Sequence, residues 1–324
     1  MELERGTAAE VRAPFPIHDG LIEHLCAAPA ASRDPIIAHA LSVCAGFSYA
    51  DLETMLMMAA RIGLGRVHAV RVAQVVDAMY VFSTAYLLQS DCGRVVVLVY
   101  RGTELANVGN WLADVDVGDE TLRIGDAQIR VHAGFHRNLR ATRAGVLDAL
   151  SLALAGRSLA DPDRAVAHPL EALYVAGHSL GGAMAALFAL TLGTERSVAE
   201  RLRAVYTYGQ PLVVGGPLPD ALQGAAALLA RHVRARDPIP ALPLASWGRL
   251  EHYGVEYRET GDDWIATDTA TTQMTGLWGA WRSMSALFAG EKRRRALRYA
   301  LTEHGPHKYI AGLRPAGRVT EFGD

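Results

Sequence analysis

The sequence has little that would tie it to disulfides, a metal or a polyanion. It contains three cysteines in 324 residues. Cys26, Cys44 and Cys92 are an odd number without metal-binding spacing, which predicts free thiols. The formal net charge is −2, so charge alone indicates no nucleic-acid partner. No cluster of His, Cys or Asp has the spacing of metal ligands, and we expect neither a metal nor a cofactor.

Long apolar runs are also missing. The N-terminus, Met-Glu-Leu-Glu-Arg, does not build the basic start and apolar stretch of a secretory signal. No stretch approaches the roughly 18 consecutive apolar residues that cross a bilayer. These absences predict a cytoplasmic protein, with any contact to a membrane or lipid surface being peripheral.

Apolar sequence is nevertheless abundant enough for a large core. Half of the residues are hydrophobic and a fifth are charged, as in globular proteins. Strand-like segments at 171–176, 203–208 and 231–235 alternate with helix-like segments at 180–192 and 219–229. This alternation predicts a largely parallel sheet covered on both faces by helices.

The domain organisation follows from composition. Residues 1–34 are rich in Ala, Pro and Arg with weak periodicity, which predicts a loosely docked N-terminal arm. The remaining residues, 35–324, show neither an internal repeat nor a linker. They are interpreted as a single domain.

Residues 173–182, Leu-Tyr-Val-Ala-Gly-His-Ser-Leu-Gly-Gly, are the most informative segment. Ser179 lies in a Gly-x-Ser-x-Gly pattern between a strand-like and a helix-like stretch. A sharp strand-to-helix turn would lift its hydroxyl out of the chain, and Gly177 and Gly181 leave room for that turn. The pattern predicts a nucleophilic serine, with an ordinary glycine-rich turn as the alternative.

A nucleophilic serine needs an acid that orients a base, and in such folds both follow the serine in the chain. Asp237 comes directly after the strand-like residues 231–235, in the proline-stiffened loop Arg-Asp-Pro-Ile-Pro. A sheet strand would deliver it to the carboxyl edge. The alternative is an aspartate that caps a turn.

Three histidines follow Asp237 and are candidates for the base. His252 lies in the strand-like segment Glu251–Tyr257, which favours a structural role. His304 and His307 lie in a loop rich in breaking residues, where a mobile base is expected.

A developing alkoxide requires hydrogen-bond donors at fixed positions. The strand-like segment Val95–Tyr100 runs into Arg-Gly-Thr-Glu, where Thr103 offers its amide and its hydroxyl. The amide of Leu180, directly after the serine, is the second candidate donor.

Several motifs occur in one order over roughly residues 35–313. They are Tyr100–Thr103 with Asn110–Asp114, Val131–Phe135, Ala176–Gly182, Tyr206–Pro211, Arg236–Pro243, Glu251–Glu256, and Glu303-His304 followed by Tyr309. In these motifs and their order the chain resembles the class 3 lipases. This α/β-hydrolase family includes filamentous-fungal triacylglycerol lipases.

The resemblance implies an α/β-hydrolase fold, with a central, mostly parallel sheet flanked by helices. It implies Ser179, Asp237 and His304 as catalytic residues, with His304 as base rather than His307. The implied function is hydrolysis of lipid esters through an acyl-enzyme, without cofactor or metal. The alternatives are a phospholipase A1, a soluble short-chain esterase and a non-catalytic binding module with a lipase fold.

One apolar segment lies directly after the first candidate donor. Within Glu104–Leu112, four apolar residues share one helical face: Leu105, Val108, Trp111 and Leu112. This spacing predicts either a mobile lid over the site or a helix packed permanently on the core.

A second amphipathic segment, Thr275–Leu297, carries Trp278 and Trp281 on one face and ends in the basic run Lys292–Arg295. Tryptophans beside a cationic cluster suit a helix lying in a lipid headgroup layer. The alternative is a helix packed on the core, with its basic end in water.

Overall fold

The computed structural model describes residues 1–7, 15–103, 118–243, 248–261, 263–274 and 302–324. The strands within these ranges are β1 Glu2–Thr7, β2 Val67–Val76, β3 Val81–Ser90, β4 Val95–Tyr100, β5 Asp119–Ile124, β6 Ala127–His132, β7 Ala172–His178, β8 Leu202–Tyr208, β9 Leu229–Val233, β10 Val255–Thr260 and β11 Asp263–Thr267. The α-helices are α1 Leu21–Ala27, α2 Pro35–Phe47, α3 Leu52–Ala59, α4 Ala133–Leu154, α5 Leu180–Thr191, α6 Arg196–Ala199, α7 Gln223–Ala227 and α8 Pro306–Leu313.

Nine of the described strands form one sheet, in the order β1-β2-β3-β4-β7-β8-β9-β10-β11. The strands from β4 to β10 in this order are parallel, whereas β1 to β3 and β11 are added antiparallel. Every side chain of β4 and β7 is buried. Their near-continuous apolar sequences therefore reflect burial on both faces of the sheet.

Helices cover both faces of this sheet. On one face lie α4 and α5, with Leu139 and Phe188 in the core. On the other lie α2, α3 and α8, with Ile37 and Tyr309 in the core. Asp34 caps α2 by accepting hydrogen bonds from the first free amides of that helix, which fixes its start. The expected central, mostly parallel sheet flanked by helices is confirmed.

Two predicted elements differ from the structure. Residues 219–229 were expected to be one helix, but they form a 3₁₀ turn, the short α7 and the start of β9. The strand expected at Glu251–Tyr257 begins only at Val255, because Gly254 turns the chain with φ of 76°. A side chain at Gly254 would collide with Leu229, so this turn depends on packing that a local pattern does not contain.

The described part of residues 1–34 is built into the fold, contrary to the loosely docked arm that we expected. β1 pairs with β2 over six residues. α1 buries Leu21 and Leu25 in the core of the α2 face. The division into an arm, 1–34, and a domain, 35–324, remains a prediction.

Both predicted amphipathic segments lie outside the described residues. These are the face formed by Leu105, Val108, Trp111 and Leu112, and the segment Thr275–Leu297 with its two tryptophans. Of the helices that are described, none is long and apolar enough to cross a membrane.

Candidate active site

Ser179 lies at a strained turn between β7 and α5. Its backbone has φ of 58° and ψ of −128°, a conformation that costs a residue with a side chain about 1–3 kcal/mol. The turn is held by the Ser179 amide, which donates to the carbonyl of Tyr208 at 2.9 Å. The serine is therefore presented at the carboxyl edge of the parallel strands, as the motif predicts.

The two glycines of the motif are required by close approach. A Cβ at Gly177 would collide with the backbone of Gly181, and a Cβ at Gly181 would collide with the carbonyl of Tyr100. The end of β4 and the first turn of α5 are consequently in direct contact.

The chain after β4 passes directly against the serine. A Cβ at Gly102 would lie 3.2 Å from Cβ of Ser179. The Thr103 hydroxyl is buried and has no hydrogen-bond partner in the part of the chain that the structure describes. Leu180 is the first residue of α5, where helix geometry leaves the amide without an intrahelical acceptor. Of the two predicted donors, Thr103 thus follows a residue that lies against the serine, and Leu180 follows the serine itself.

Asp237, four residues beyond the end of β9, is held by three hydrogen bonds. Its Oδ2 accepts from Nδ1 of His304 at 2.7 Å and from the hydroxyl of Tyr309 at 2.6 Å. Its Oδ1 accepts from the amide of Ile239 at 2.9 Å. Burial and then the charge of Asp237 raise the pKa of Tyr309 well above its usual value, so the hydroxyl keeps its proton and donates.

This carboxylate determines which nitrogen of His304 carries the proton. With Nδ1 donating to Asp237, Nε2 of the neutral ring is an acceptor. Nε2 is buried and has no hydrogen-bond partner among the described residues. The structure brings Asp237 and His304 together but forms no hydrogen bond between the Ser179 hydroxyl and Nε2. Such bonds often tighten only when substrate binds.

His178, which precedes the serine, links the two halves of the site. Its Nε2 donates to the carbonyl of His304 at 2.6 Å, and its Nδ1 accepts from the hydroxyl of Tyr49 at 2.8 Å. Burial and then the neighbouring His304 keep the pKa of His178 well below its usual value, so the ring stays neutral in this role. The residue beside the serine therefore positions the backbone of His304.

Gly209 is the close contact on the other side of the Asp237–His304 pair. It follows β8 with φ of 60°, and a Cβ there would lie 2.7 Å from Oδ2 of Asp237 and 2.8 Å from Nδ1 of His304. Any other residue would displace the pair. Sequence reasoning assigned no role to Gly209, Tyr49 or the side chain of His178. Gly209 and His178 do lie within the motifs Tyr206–Pro211 and Ala176–Gly182.

In the part of the chain that the structure describes, neither of the two remaining late histidines forms a hydrogen bond with Asp237. Nε2 of His252 donates to the carbonyl of Pro240 at 2.8 Å, and burial lowers its pKa well below the usual value. His307 lies in the first turn of α8, where burial and then the charge of Lys308 lower its pKa. Among the described residues, no group of three or more His, Cys, Asp or Glu side chains is arranged to hold a metal ion.

Comparison with solved structures defines the fold. Lipase II from Rhizopus niveus superimposes with a TM-score of 0.52 at 19% identity, over 82% of this chain and 88% of that one. The Rhizomucor miehei lipase in its propeptide complex gives a TM-score of 0.51 at 22% identity, over 75% of each chain. The molecule has an α/β-hydrolase fold, as expected.

Sequence comparison agrees with the family that the motifs resemble. Residues 97–247 match the model of the family described as lipase (class 3). A secreted mono- and diacylglycerol lipase from Fusarium solani is 28% identical over 173 residues, covering 53% of this chain and 46% of that protein. The chain spans less than half the length of the first curated relatives it matches.

These relatives contradict the expected cytoplasmic location. The Fusarium protein is named as secreted, and so is a mono- and diacylglycerol lipase of Penicillium cyclopium that matches 61% of this chain. The expectation of a cytoplasmic protein is therefore wrong. It relied on the lack of a local signal pattern, which is weaker information than the named location of the matching relatives.

Proposed function

We propose that the protein is a serine carboxylic-ester hydrolase that acts on lipid esters, with Ser179 as nucleophile, His304 as base and Asp237 as the orienting acid. The observation that carries this proposal is the pairing of a strained serine turn with a buried Asp237–His304 hydrogen bond of 2.7 Å. Strain at a position of this kind persists where function requires it.

In the proposed mechanism, the hydroxyl of Ser179 attacks the ester carbonyl while Nε2 of His304 takes its proton. Asp237 stabilises the imidazolium that forms. The amides of Thr103 and Leu180, with the Thr103 hydroxyl, receive the negative charge on the carbonyl oxygen. The imidazolium then protonates the leaving alcohol, and water repeats the attack on the acyl-enzyme.

The proposed substrates are acylglycerols. This class is supported by the family match and by relatives named as mono- and diacylglycerol lipases. The buried hydroxyl of Thr103, which lacks a partner within the described residues, is consistent with a donor that waits for a substrate oxygen.

The decisive experiment combines a covalent probe with one variant. A fluorophosphonate should modify the wild-type protein at Ser179, as located by mass spectrometry of the labelled peptide. Ser179→Ala should remain folded, take up no label and lose ester hydrolysis by about 10⁴-fold or more, because the nucleophile is gone.

Substantial hydrolysis by Ser179→Ala would overturn the mechanism, and a wild-type protein that neither takes up the probe nor hydrolyses any ester would overturn enzymatic function. Hydrolysis of triacylglycerol, phospholipid and short p-nitrophenyl esters, measured side by side, distinguishes the lipase from a phospholipase A1 and a short-chain esterase.

A further inference from the structure

The turn between β2 and β3 exposes four large apolar side chains. The exposed fractions are 61% for Val75, 57% for Met79, 50% for Tyr80 and 44% for Phe82. Val75 and Phe82 are direct cross-strand partners, so their side chains share one face of the hairpin. We call these four residues the hairpin tip.

The hairpin tip projects beyond the sheet edge at which Ser179 lies. β3 pairs with β4 only as far as Ala85 opposite Tyr100, and Tyr100 is level with Gly177, two residues before the serine. From Ala85 back to Val81 the hairpin continues four residues further, or about 13 Å in an extended strand. The exposed apolar side chains therefore lie beyond the carboxyl ends of the parallel strands, where the candidate active site lies.

The projecting part of this hairpin is held in place by α4. Asn138, which is buried, accepts from the amide of Phe82 at 2.8 Å and donates to the carbonyl of Tyr80 at 3.2 Å. Arg137 donates to the carbonyl of Met79 at 3.4 Å. The structure thus orders the backbone of a turn whose side chains point to solvent.

A short path connects the hairpin tip with the site. Thr84, two residues after Phe82, accepts from the amide of Arg101 at 2.9 Å. The guanidinium of Arg101 lies 5.8 Å from the centre of the Tyr49 ring, and Tyr49 donates to His178 beside the serine. The strand that carries the hairpin tip is therefore linked, through Arg101 and Tyr49, to the residue beside Ser179.

The size and charge of the hairpin tip favour a lipid surface over a second protein. Four half-exposed large side chains offer on the order of 400 Å², whereas a stable protein interface takes about 800 Å² from each partner. An apolar patch of this size on a monomer is often functional. Asp77 and Arg137 beside it carry opposite charges, which suits an uncharged or zwitterionic surface.

We propose that the hairpin tip inserts into the surface of a lipid aggregate and so holds the carboxyl edge of the sheet, with Ser179, against that surface. The proposal rests on the proposed function, since it states that the substrate of the same site is presented in a lipid aggregate. Apolar side chains at a lipid boundary gain binding in proportion to the area they bury.

The test replaces the hairpin tip by Val75→Thr, Met79→Gln, Tyr80→Asn and Phe82→Thr. Asn suits the position of Tyr80, whose φ is 51°. Binding is measured by co-sedimentation with phosphatidylcholine vesicles in the Ser179→Ala background, so that no hydrolysis is needed. The vesicle-bound protein should fall by about tenfold, because several apolar groups no longer enter the lipid.

Activity gives the second measurement, in the protein that retains Ser179. The ratio of hydrolysis of emulsified triacylglycerol to hydrolysis of a dissolved short-chain ester should fall by a similar factor. The matched control is Ile265→Thr with Phe322→Ser, two side chains that are 53% and 70% exposed elsewhere. The control should bind vesicles and hydrolyse both substrates as the wild type does.

Unchanged vesicle binding by the hairpin variant, or an equal loss in the control, would overturn the proposal. A second variant, Met79→Gln with Tyr80→Asn, changes only the turn and should lose part of the binding even if the four-residue variant folds poorly. Vesicle binding without any ester hydrolysis would overturn the proposed function and leave the docking surface supported.

Discussion

Two carboxylates near β9 are both buried, and they differ in what they bind. Glu256, on β10, accepts from Arg231 at 3.0 Å and from the Thr271 amide at 2.7 Å, and its other oxygen accepts from Arg258 and the Thr271 hydroxyl. Burial alone would raise the pKa of Glu256, but the Thr271 amide and the charge of Arg231 outweigh it and lower the pKa. This carboxylate is therefore ionised at neutral pH, between two arginines that are also charged.

Asp237 accepts three hydrogen bonds, one fewer than Glu256, and one of its partners is titratable. Two of its three donors, the Ile239 amide and the Tyr309 hydroxyl, are neutral. The third is His304, whose far nitrogen is buried without a described partner. A carboxylate paired with arginines has a structural role. A carboxylate hydrogen-bonded to a histidine can in addition stabilise the imidazolium that forms during proton transfer.

The largest effect should come from removing the titratable partner. We expect His304→Ala to lower kcat/KM by about 10⁴-fold or more, because no base remains for the serine. His307→Ala is the matched control, because this histidine is three residues away and is not among the described hydrogen-bond partners of Asp237. It should stay within about tenfold of the wild type. Ester hydrolysis at saturating and limiting substrate checks both. A larger loss in His307→Ala would identify His307 as the base.

Glu256→Gln should show the opposite pattern. The Arg231 side chain, 1% exposed, would face a neutral amide, and an uncompensated buried charge costs about 3–5 kcal/mol of unfolding free energy. Urea unfolding measures this loss, while kcat/KM of the folded fraction should be unchanged. Arg258→Gln is the control, because that more exposed partner should contribute under about 1 kcal/mol. A catalytic loss like that of His304→Ala would abolish the distinction between the two carboxylates.

His232 provides a structural counterpart to His304. It is a buried histidine of β9 whose ring stacks on Tyr206 and Tyr208. Burial lowers its pKa to about 3, so below pH 6.5 the unfolded chain binds more protons and stability falls. One such group should cost about 2 kcal/mol between pH 7 and pH 5.

Burial also lowers the pKa of other histidines. The measured quantity is therefore the difference in pH dependence between the wild type and His232→Phe. The fall in unfolding free energy between pH 7 and pH 5 should be smaller by about 2 kcal/mol in His232→Phe. This variant keeps an aromatic ring in the stack. Equal pH dependence in both proteins would show that His232 becomes protonated in the folded state.

The smallest effect should follow Tyr309→Phe. Asp237 would lose one of three hydrogen bonds and keep those from Ile239 and His304, so we expect kcat/KM to fall by about tenfold. Tyr208→Phe is a matched control, because its buried hydroxyl donates to the backbone carbonyl of Ala38 at 2.6 Å and not to a carboxylate. It should lower stability and leave kcat/KM unchanged. Equal activity losses in both variants would assign Tyr309 a packing role only.

Much of the fold was predictable because some local patterns have one physical solution. The apolar runs of β4 and β7 predict strands buried on both faces. The Gly-x-Ser-x-Gly pattern between a strand and a helix predicts the turn at Ser179. The prediction of one helix at 219–229 is wrong because these residues divide between a short helix and the start of β9. The pairing of β9 with β8 and β10 is non-local, so a local pattern does not contain it.

For the site, the sequence by itself determined the serine turn and placed an aspartate and three candidate histidines after it. Only the tertiary structure decided which histidine meets Asp237, because that contact joins residues 67 apart. The bond from Tyr49 to His178 joins residues 129 apart. Local periodicity and turn chemistry act over a few residues, whereas these partners are chosen by the path of the chain around the sheet.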